Sequence, residues 1–338
     1  MDKILRVNNL TTSFITKSGE VQAVRGVSFD VGKGEILGVV GESGSGKSVI
    51  SLSILGVLEE NARIKDGTVE FAGTNLIGLS KKEYRKIRGS KISMIFQDPM
   101  TSLNPVMKVG KQISETLLEH NPNMGPQEAK ERAIELLRKV HIPEAPSRYH
   151  SYPHQLSGGM RQRVMIAIAI SCEPELIIAD EPTTALDVTI QDQIIKLLKE
   201  MNAKQNLSVM FITHDLGVVA GICDRVLVLY GGLIMEEGKL NEIFYKTAHP
   251  YTLGLLESVP RLDQEKTQRL MPIGGSPPDM LKPPKGCPFY PRCRWGRQLC
   301  VEERPVFSNL SDTHRSACWL LLPDAPSEDN PFYGRQLW

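Results

Sequence analysis

The chain contains stretches in which apolar and polar residues alternate and others in which apolar residues follow one another. From Ile4 to Phe29 the alternation is short and passes through Gly19, which predicts a small antiparallel β-sheet with a turn there. Residues Ile36–Val40 are almost wholly apolar and are flanked by glycine. Such a run is typical of a strand that is buried on both faces.

The middle of the chain alternates predicted helices with apolar strands. Because consecutive strands separated by helices form a parallel sheet with covered faces, this order predicts an α/β core. The predicted helices are Gly159–Ser171 and Thr189–Asn202, and the predicted strands are Ile92–Phe96, Leu176–Ala179, Val209–Thr213 and Val226–Tyr230.

Proline changes the pattern in two places. Between Gln97 and Leu156 it interrupts helical runs such as Glu128–Val140, which predicts a mostly helical subdomain at about residues 97–160. Past Gly254 the periodicity fades. We therefore expect a main domain at residues 1–255, a proline-rich linker at 256–284 and a small cysteine-rich appendage at 285–338.

Charge and hydropathy limit the possible partners. Lysine and arginine (40) nearly balance aspartate and glutamate (39) over 338 residues, so no basic field favours nucleic acid. The first residues lack the features of an export signal, and no stretch reaches the roughly 20 apolar residues of a spanning helix. These observations predict a cytosolic protein that associates with membranes only through partners.

A glycine-rich run, GESGSGKS at residues 41–48, follows the buried strand and precedes a predicted helix. In this motif backbone N–H groups converge on phosphate oxygens at the positive end of the helix. Lys47 would reach the β and γ phosphates of a nucleotide, and Ser48 would ligate Mg²⁺. The alternative is a glycine-rich turn that binds nothing.

A second motif ends the apolar strand at Leu176–Ala179 with two carboxylates, Asp180 and Glu181. The carboxyl edge of an open parallel sheet is where nucleotides bind. Asp180 would hold Mg²⁺ through water, and Glu181 would polarise the water that attacks the γ-phosphate. Alternatively, these acids cap the next helix.

The run LSGGM at residues 156–160 resembles the signature motif of ABC ATPases, and the resemblance covers roughly residues 4–250. It implies a P-loop fold with a RecA-like core, an N-terminal antiparallel β subdomain and an α-helical subdomain. It also implies that Ser157, Gly158 and Gly159 close over the ATP held by a second subunit.

Other positions match the same family. The resemblance implies that Gln97 senses Mg²⁺ and the attacking water, that His214 contacts the γ-phosphate, and that Phe14 stacks on adenine. Residues 185–187 are similar to the D-loop, with Asp187 at the dimer interface. A surface amide, a structural histidine and a core aromatic are the respective alternatives. The residues predicted to bind ATP are Phe14, Gly41, Ser43, Gly44, Ser45, Gly46, Lys47, Ser48 and Val49. Those predicted to bind Mg²⁺ are Ser48, Gln97 and Asp180. The predicted catalytic residues are Glu181, His214, Lys47 and Gln97.

Longer segments resemble the ATPase subunits of dipeptide and oligopeptide importers in particular. They are FQDPMTSLNP at residues 96–105, SGGMRQRV at 157–164 and HPYT at 249–252. The resemblance implies an ATP-hydrolysing subunit that pairs with a similar but different subunit, acts on two membrane permeases, and serves an external peptide-binding protein. Import of another solute, such as nickel or glutathione, and a soluble ABC ATPase remain alternatives.

Four cysteines crowd the C-terminal segment, separated by five, six and seventeen residues: Cys287, Cys293, Cys300 and Cys318. Related importer subunits imply a [4Fe-4S] cluster on these thiolates, with zinc or free thiols as alternatives. Arg292, Arg294 and Arg297 would offset its charge or form a solvated face. His314 is expected to face solvent.

Overall fold

The computed structural model describes residues 2–184, 187–259, 272–325 and 330–332. The strands are β1 (Lys3–Thr16), β2 (Gly19–Gly32), β3 (Ile36–Val40), β4 (Ala62–Phe71), β5 (Thr74–Asn75), β6 (Ile92–Ile95), β7 (Leu176–Asp180), β8 (Ser208–Thr213), β9 (Arg225–Tyr230), β10 (Leu233–Lys239), β11 (Ser308–Asn309) and β12 (Arg315–Ser316).

The α-helices are α1 (Lys47–Leu55), α2 (Lys81–Ile87), α3 (Pro99–Ser102), α4 (Val109–His120), α5 (Pro126–Lys139), α6 (Ala145–Arg148), α7 (Gly158–Ala169), α8 (Val188–Gln205), α9 (Leu216–Ile222), α10 (Leu240–Tyr245), α11 (Pro250–Glu257) and α12 (Gln298–Glu302). Short 3₁₀ turns lie at Pro153–Gln155, Tyr290–Arg292 and Trp319–Leu321.

The described part of the chain forms two compact units. The first consists of the described residues up to Leu5, of Asp30–Ile36 and of those between Glu70 and Ile212; the second consists of Arg6–Phe29, Leu37–Val69 and the described residues from Thr213 onward. In the first unit β6, β7 and β8 are parallel neighbours, and all residues of β7 are buried. Burial on both faces explains the uninterrupted apolar run of β7.

Helices of the first unit follow their apolar periodicity. In α5 the buried residues are Ala129, Ala133, Leu136 and Leu137, which recur at helical spacing on one face. Pro126 opens this helix, a position where its missing N–H costs nothing. The region predicted to be mostly helical, residues 97–160, therefore carries α3 to α6 and the start of α7.

In the second unit β3 lies parallel to β9, and β10, β12 and β11 follow β9 in that order as antiparallel strands. The strands β1 and β2 form a hairpin where the alternating pattern predicts antiparallel pairing. The hairpin turns at Lys17 and Ser18, one residue before Gly19.

Strand β10 is not predicted from the sequence, because its residues, LIMEEGK, include two adjacent glutamates. Both are buried, and each has a charged or ionisable partner. Glu236 lies 2.8 Å from His314, and Glu237 accepts hydrogen bonds from Arg225 and Arg315. Paired carboxylates thus allow a polar sequence to form an internal strand.

Candidate functional site

The glycine-rich run at residues 41–48, hereafter the phosphate loop, lies in the second unit between β3 and α1. Side chains are excluded at two of its glycines. A Cβ on Gly41 would lie 2.2 Å from the Leu229 carbonyl oxygen, and one on Gly46 would lie 2.5 Å from the Ala23 carbonyl oxygen. Gly46 also has φ +101°, in the left-handed region that favours glycine. The backbone geometry therefore requires glycine at both positions.

Polar groups converge within this loop. The Lys47 ammonium donates to the carbonyl oxygens of Gly41 (2.7 Å) and Glu42 (3.0 Å). The buried Ser45 hydroxyl has no hydrogen-bond partner among the described residues. Helix α1 begins at Lys47 without a side-chain cap. A buried cation, an unsatisfied hydroxyl and an uncapped helix start suit an anionic phosphate group.

Glu42, the second residue of the loop, is held by residues far along the chain. Its amide donates to the Tyr251 hydroxyl (2.9 Å), and its carboxylate accepts from both terminal nitrogens of Arg292 at 2.6 and 3.1 Å. Burial raises the pKa of Tyr251, so its hydroxyl stays neutral and can accept this bond. No role for Tyr251 is predicted from the sequence, and Arg292 is predicted there to offset charge near the cysteines. Tyr251 lies in the HPYT segment, which is part of the family resemblance, but the resemblance implies no contact for this residue.

In the first unit β7 ends at Asp180 and places Glu181 directly after it. Asp180 is buried, whereas Glu181 is half-buried and has φ +47°. Backbone strain at a non-glycine residue costs about 1–3 kcal/mol and is concentrated at functional sites. The Glu181 carboxylate accepts hydrogen bonds from the Gln97 amide (3.0 Å) and the Thr184 hydroxyl (2.9 Å). The structure therefore brings Gln97 and Glu181 together.

A side chain on α7 holds the turn that follows Glu181. The buried Gln162 side chain donates a 2.7 Å hydrogen bond from Nε2 to the Pro182 carbonyl oxygen. This contact is not predictable from the sequence, because Gln162 is twenty residues from Pro182 and amides are usually found at the surface. The bond connects the helix that begins at the signature run with the turn that carries Glu181.

The signature run opens α7. Ser157 is the N-cap, and its hydroxyl accepts from the Met160 amide at 3.3 Å. Ser157 and Gly158 are exposed, and nothing among the described residues lies within 4 Å of a Cβ on Gly158. The start of this helix is therefore open to a ligand or a second molecule.

Asp187 is the N-cap of α8, and its carboxylate accepts from the Ile190 amide at 2.9 Å. The preceding D-loop residues 185 and 186 lie outside the described residues. An N-cap carboxylate at a helix start stabilises the helix by itself. The contact of Asp187 with a second subunit therefore remains a prediction.

The remaining predicted residues lie in the second unit. Phe14 is half-buried on β1, and His214 is exposed immediately after β8. Ser43 and Gly44 are exposed at the crest of the phosphate loop, while Ser48 is exposed and Val49 is half-buried in the first turn of α1. None of these positions prevents contact with a nucleotide.

The predicted iron–sulfur site is wrong. Among the described residues, which include all four clustered cysteines, no group of three or more histidine, cysteine, aspartate or glutamate side chains could hold a metal ion. The cysteines are free thiols that line one small apolar pocket with aromatic residues such as Phe289 and Trp319. Burial raises the pKa of Cys287 to about 12 and of Cys293 to about 11.

The physical reason is that metal ligation needs thiolates whose sulfurs converge on one point, and sequence spacing fixes neither charge nor direction. Here burial favours the protonated thiols of Cys287 and Cys293, which pack as small apolar groups in this pocket. Cys318, whose pKa burial also raises, packs against a cluster that includes Leu310 and Leu320. The absence of a metal-binding group among the described residues applies to zinc as well.

The prediction that His314 faces solvent is also wrong. His314 is 1% exposed, and its Nε2 lies 2.8 Å from a carboxylate oxygen of Glu236. Glu236 also accepts from the Thr247 hydroxyl and the Ala248 amide. The histidine is buried because it satisfies a carboxylate on an internal strand, which a loop-like sequence context does not reveal.

A strand, a glycine-rich loop and a helix that begins at a buried lysine define a P-loop nucleotide-binding protein. Two family models match: ABC transporter over residues 24–184, and the C-terminal region of oligopeptide/dipeptide transporters over residues 235–300. The dipeptide transport ATP-binding protein DppD of Lactococcus lactis is 52% identical over 96% of this chain and 93% of its own length. The oligopeptide transport ATP-binding protein OppD of Bacillus subtilis is 52% identical over 97% of this chain and 92% of its own length.

Among solved structures, the dimeric ATP-binding cassette MJ0796 in a post-hydrolysis state bound to ADP and Pi is 30% identical, with TM-score 0.64. The match covers 70% of this chain and 98% of that one. The chain belongs to the ABC transporter family and has the ATP-binding cassette fold. None of the helices in the described ranges combines the length and apolar character needed to cross a bilayer.

Proposed function

We propose that this chain binds and hydrolyses ATP to power a membrane transporter that imports dipeptides or oligopeptides. The observation that carries the proposal is the agreement along nearly the whole chain with DppD and OppD proteins, together with a phosphate loop suited to an anion. The C-terminal match to oligopeptide/dipeptide transporters favours peptides over nickel or glutathione as cargo.

The roles of individual residues form part of the proposal. Lys47 neutralises charge on the β and γ phosphates, and N–H groups at the start of α1 bind their oxygens. Mg²⁺ supplies further charge neutralisation when bound, and Ser48, Asp180 and Gln97 offer the oxygen donors that this ion prefers. Phe14 supports the adenine ring, and His214 contacts the γ-phosphate.

Glu181 is the proposed base that orients and polarises the attacking water. Its carboxylate is positioned by hydrogen bonds from Gln97 and Thr184 and by the strained backbone after β7. Such preorganisation reduces the rearrangement needed during the reaction. Gln97 and the helical region at about residues 97–160 would transmit the closing of the two ATP-binding subunits to the membrane permeases.

The proposed assembly contains a second, similar ATP-binding subunit and two transmembrane permeases, at the cytoplasmic face of the membrane. An external binding protein would deliver the peptide. The exposed helix start at Ser157 and Gly158 supports a contact with ATP bound to the second subunit, with Gly159 completing that corner. The C-terminal part of the chain, from about residue 285, would act as an extension of this cassette, since its strands β11 and β12 continue the sheet from β10.

The decisive experiment replaces Glu181 with glutamine in the assembled transporter. ATP binding should persist while turnover falls by about 10²–10⁴-fold, since the carboxylate that polarises water is lost. Glu175→Gln is the matched control, because Glu175 is exposed just before the other end of β7. Normal turnover by Glu181→Gln would contradict the assigned role.

Uptake of labelled peptides by cells that lack this subunit tests the cargo. Restoration by the wild-type chain but not by Glu181→Gln is expected. Uptake that continues unchanged without the subunit would exclude peptide import through this protein.

A further inference from the structure

Arg292 connects the cysteine-rich end of the chain to the phosphate loop, although 250 residues separate it from Glu42. Its side chain is only 5% exposed and lies within the second unit, as does the loop. The guanidinium meets the Glu42 carboxylate through both terminal nitrogens, at 2.6 and 3.1 Å. Bidentate pairs of this kind are among the strongest hydrogen-bonded contacts in proteins.

The other donors of Arg292 are also used. Nε donates to the Gly274 carbonyl oxygen (2.8 Å), and the terminal nitrogens donate to the Tyr230 hydroxyl (3.0 Å) and the Ile273 carbonyl oxygen (3.1 Å). Burial lowers the pKa of Arg292, but the hydrogen bonds to Glu42 and Tyr230 outweigh this and raise it. The guanidinium is therefore a fixed, fully satisfied cation rather than a mobile surface charge.

Glu42 passes this restraint to the rest of the phosphate loop. Its carbonyl oxygen accepts from the Lys47 ammonium (3.0 Å) and the Ser45 amide (3.2 Å). Its own amide is held by the Tyr251 hydroxyl. A shift of the Glu42 side chain would therefore move the peptide group that holds Lys47 and shapes the turn.

We propose that Arg292 is a positioning residue that holds the phosphate loop, through Glu42, in the conformation that binds the phosphates of ATP. The proposal rests on the proposed function and deepens it, because it assigns the cysteine-rich end a part in nucleotide affinity. Arg292 touches neither nucleotide nor water in this role. Its effect therefore falls on ATP affinity and KM more than on the chemical step.

The test uses the full chain and measures ATP affinity, together with KM and kcat in the assembled transporter. Arg292→Gln and Glu42→Gln should each weaken ATP binding and raise KM about tenfold, with kcat changed less than threefold. The double variant should be no weaker than either single one, because the two side chains act as one pair. Arg292→Lys should recover part of the affinity, since lysine restores the charge but not the bidentate contact.

Arg294→Gln is the matched control, because Arg294 lies on the same segment and is exposed. Its ATP affinity should equal that of the wild type. Failure of the wild-type chain to bind ATP would refute the proposed function itself. If the wild type binds ATP and Glu42→Gln and Arg292→Gln both bind it within twofold of the wild type, the positioning role is wrong. Additive losses in the double variant would also contradict it. Glu42→Gln keeps the side-chain size, so it serves as the test if Arg292→Gln does not fold.

Discussion

The phosphate loop and the cysteine segment, residues 287–318, lie in the same unit but differ in how their properties arise. In the loop, function depends on backbone conformation over eight consecutive residues, with glycine required by local geometry. In the cysteine segment, ligation would depend on the directions and protonation of four side chains spread over 32 residues, counted from 287 to 318. A short motif is therefore a stronger guide to chemistry than a cluster of reactive residues.

The largest expected effect is the loss of ATP affinity caused by a substitution in the phosphate loop. Gly46→Ala would place a Cβ 2.5 Å from a backbone oxygen at φ +101°, so the loop must shift. Strain of about 1–3 kcal/mol corresponds to roughly 5–150-fold weaker ATP binding, measured by titration of the full chain. Gly221→Ala on α9 has no described neighbour within 4 Å of the added atom and should bind ATP normally. Equal affinity for both variants would contradict the account of the loop.

A smaller effect, on the pH dependence of stability, is expected from His249. This residue lines the pocket of the cysteines, and its Nδ1 accepts a hydrogen bond from the Tyr251 amide. Burial lowers its pKa to about 3 from the ordinary 6.5, against a backbone hydrogen bond involving Ala317 that raises it. Between these values the unfolded chain binds more protons than the folded one, so stability falls as pH falls below about 6.5.

Urea unfolding from pH 7.5 to 5.5 should record this loss, on the order of 1 kcal/mol. His249→Asn keeps an acceptor at the start of α11 but does not titrate, and should lose less stability over the same range. An identical pH dependence in both proteins would show that His249 is not the group responsible.

The smallest effect on ATP turnover is expected from the cysteines. Because the pKa values of Cys287 and Cys293 are raised to about 12 and 11, few thiolates exist at pH 7.5. Iodoacetamide should modify them more slowly than free cysteine by about 10²-fold or more, and rapidly after unfolding in urea. Cys293→Ala should change turnover by less than twofold. Rapid labelling of Cys287 or Cys293 in the folded chain, or loss of turnover in Cys293→Ala, would contradict the expected difference between the phosphate loop and the cysteine segment.

Much of the fold and of the candidate site could be predicted from the sequence. The strand at Ile36–Val40, the loop after it and the acids that end β7 depend on apolar runs and on residues close together in the chain. The sequence assigned both Gln97 and Glu181 to the attacking water, but the hydrogen bond between their side chains is seen only in the structure. Strand β10 could not be predicted, because its glutamates are satisfied by tertiary partners such as His314, which is 78 residues from Glu236 along the chain.

By itself the sequence determined that the chain has a phosphate loop, a strand ending in Asp180 and Glu181, and a signature helix starting at Ser157. Each of these features consists of consecutive residues, and its backbone conformation is determined mainly by residues close to it in the chain. Only the tertiary structure decided that the four cysteines are free thiols lining one apolar pocket, that His314 is internal, and that Arg292 and Tyr251 hold Glu42. These outcomes depend on the burial and side-chain direction of residues up to 250 positions apart, which spacing along the chain does not encode.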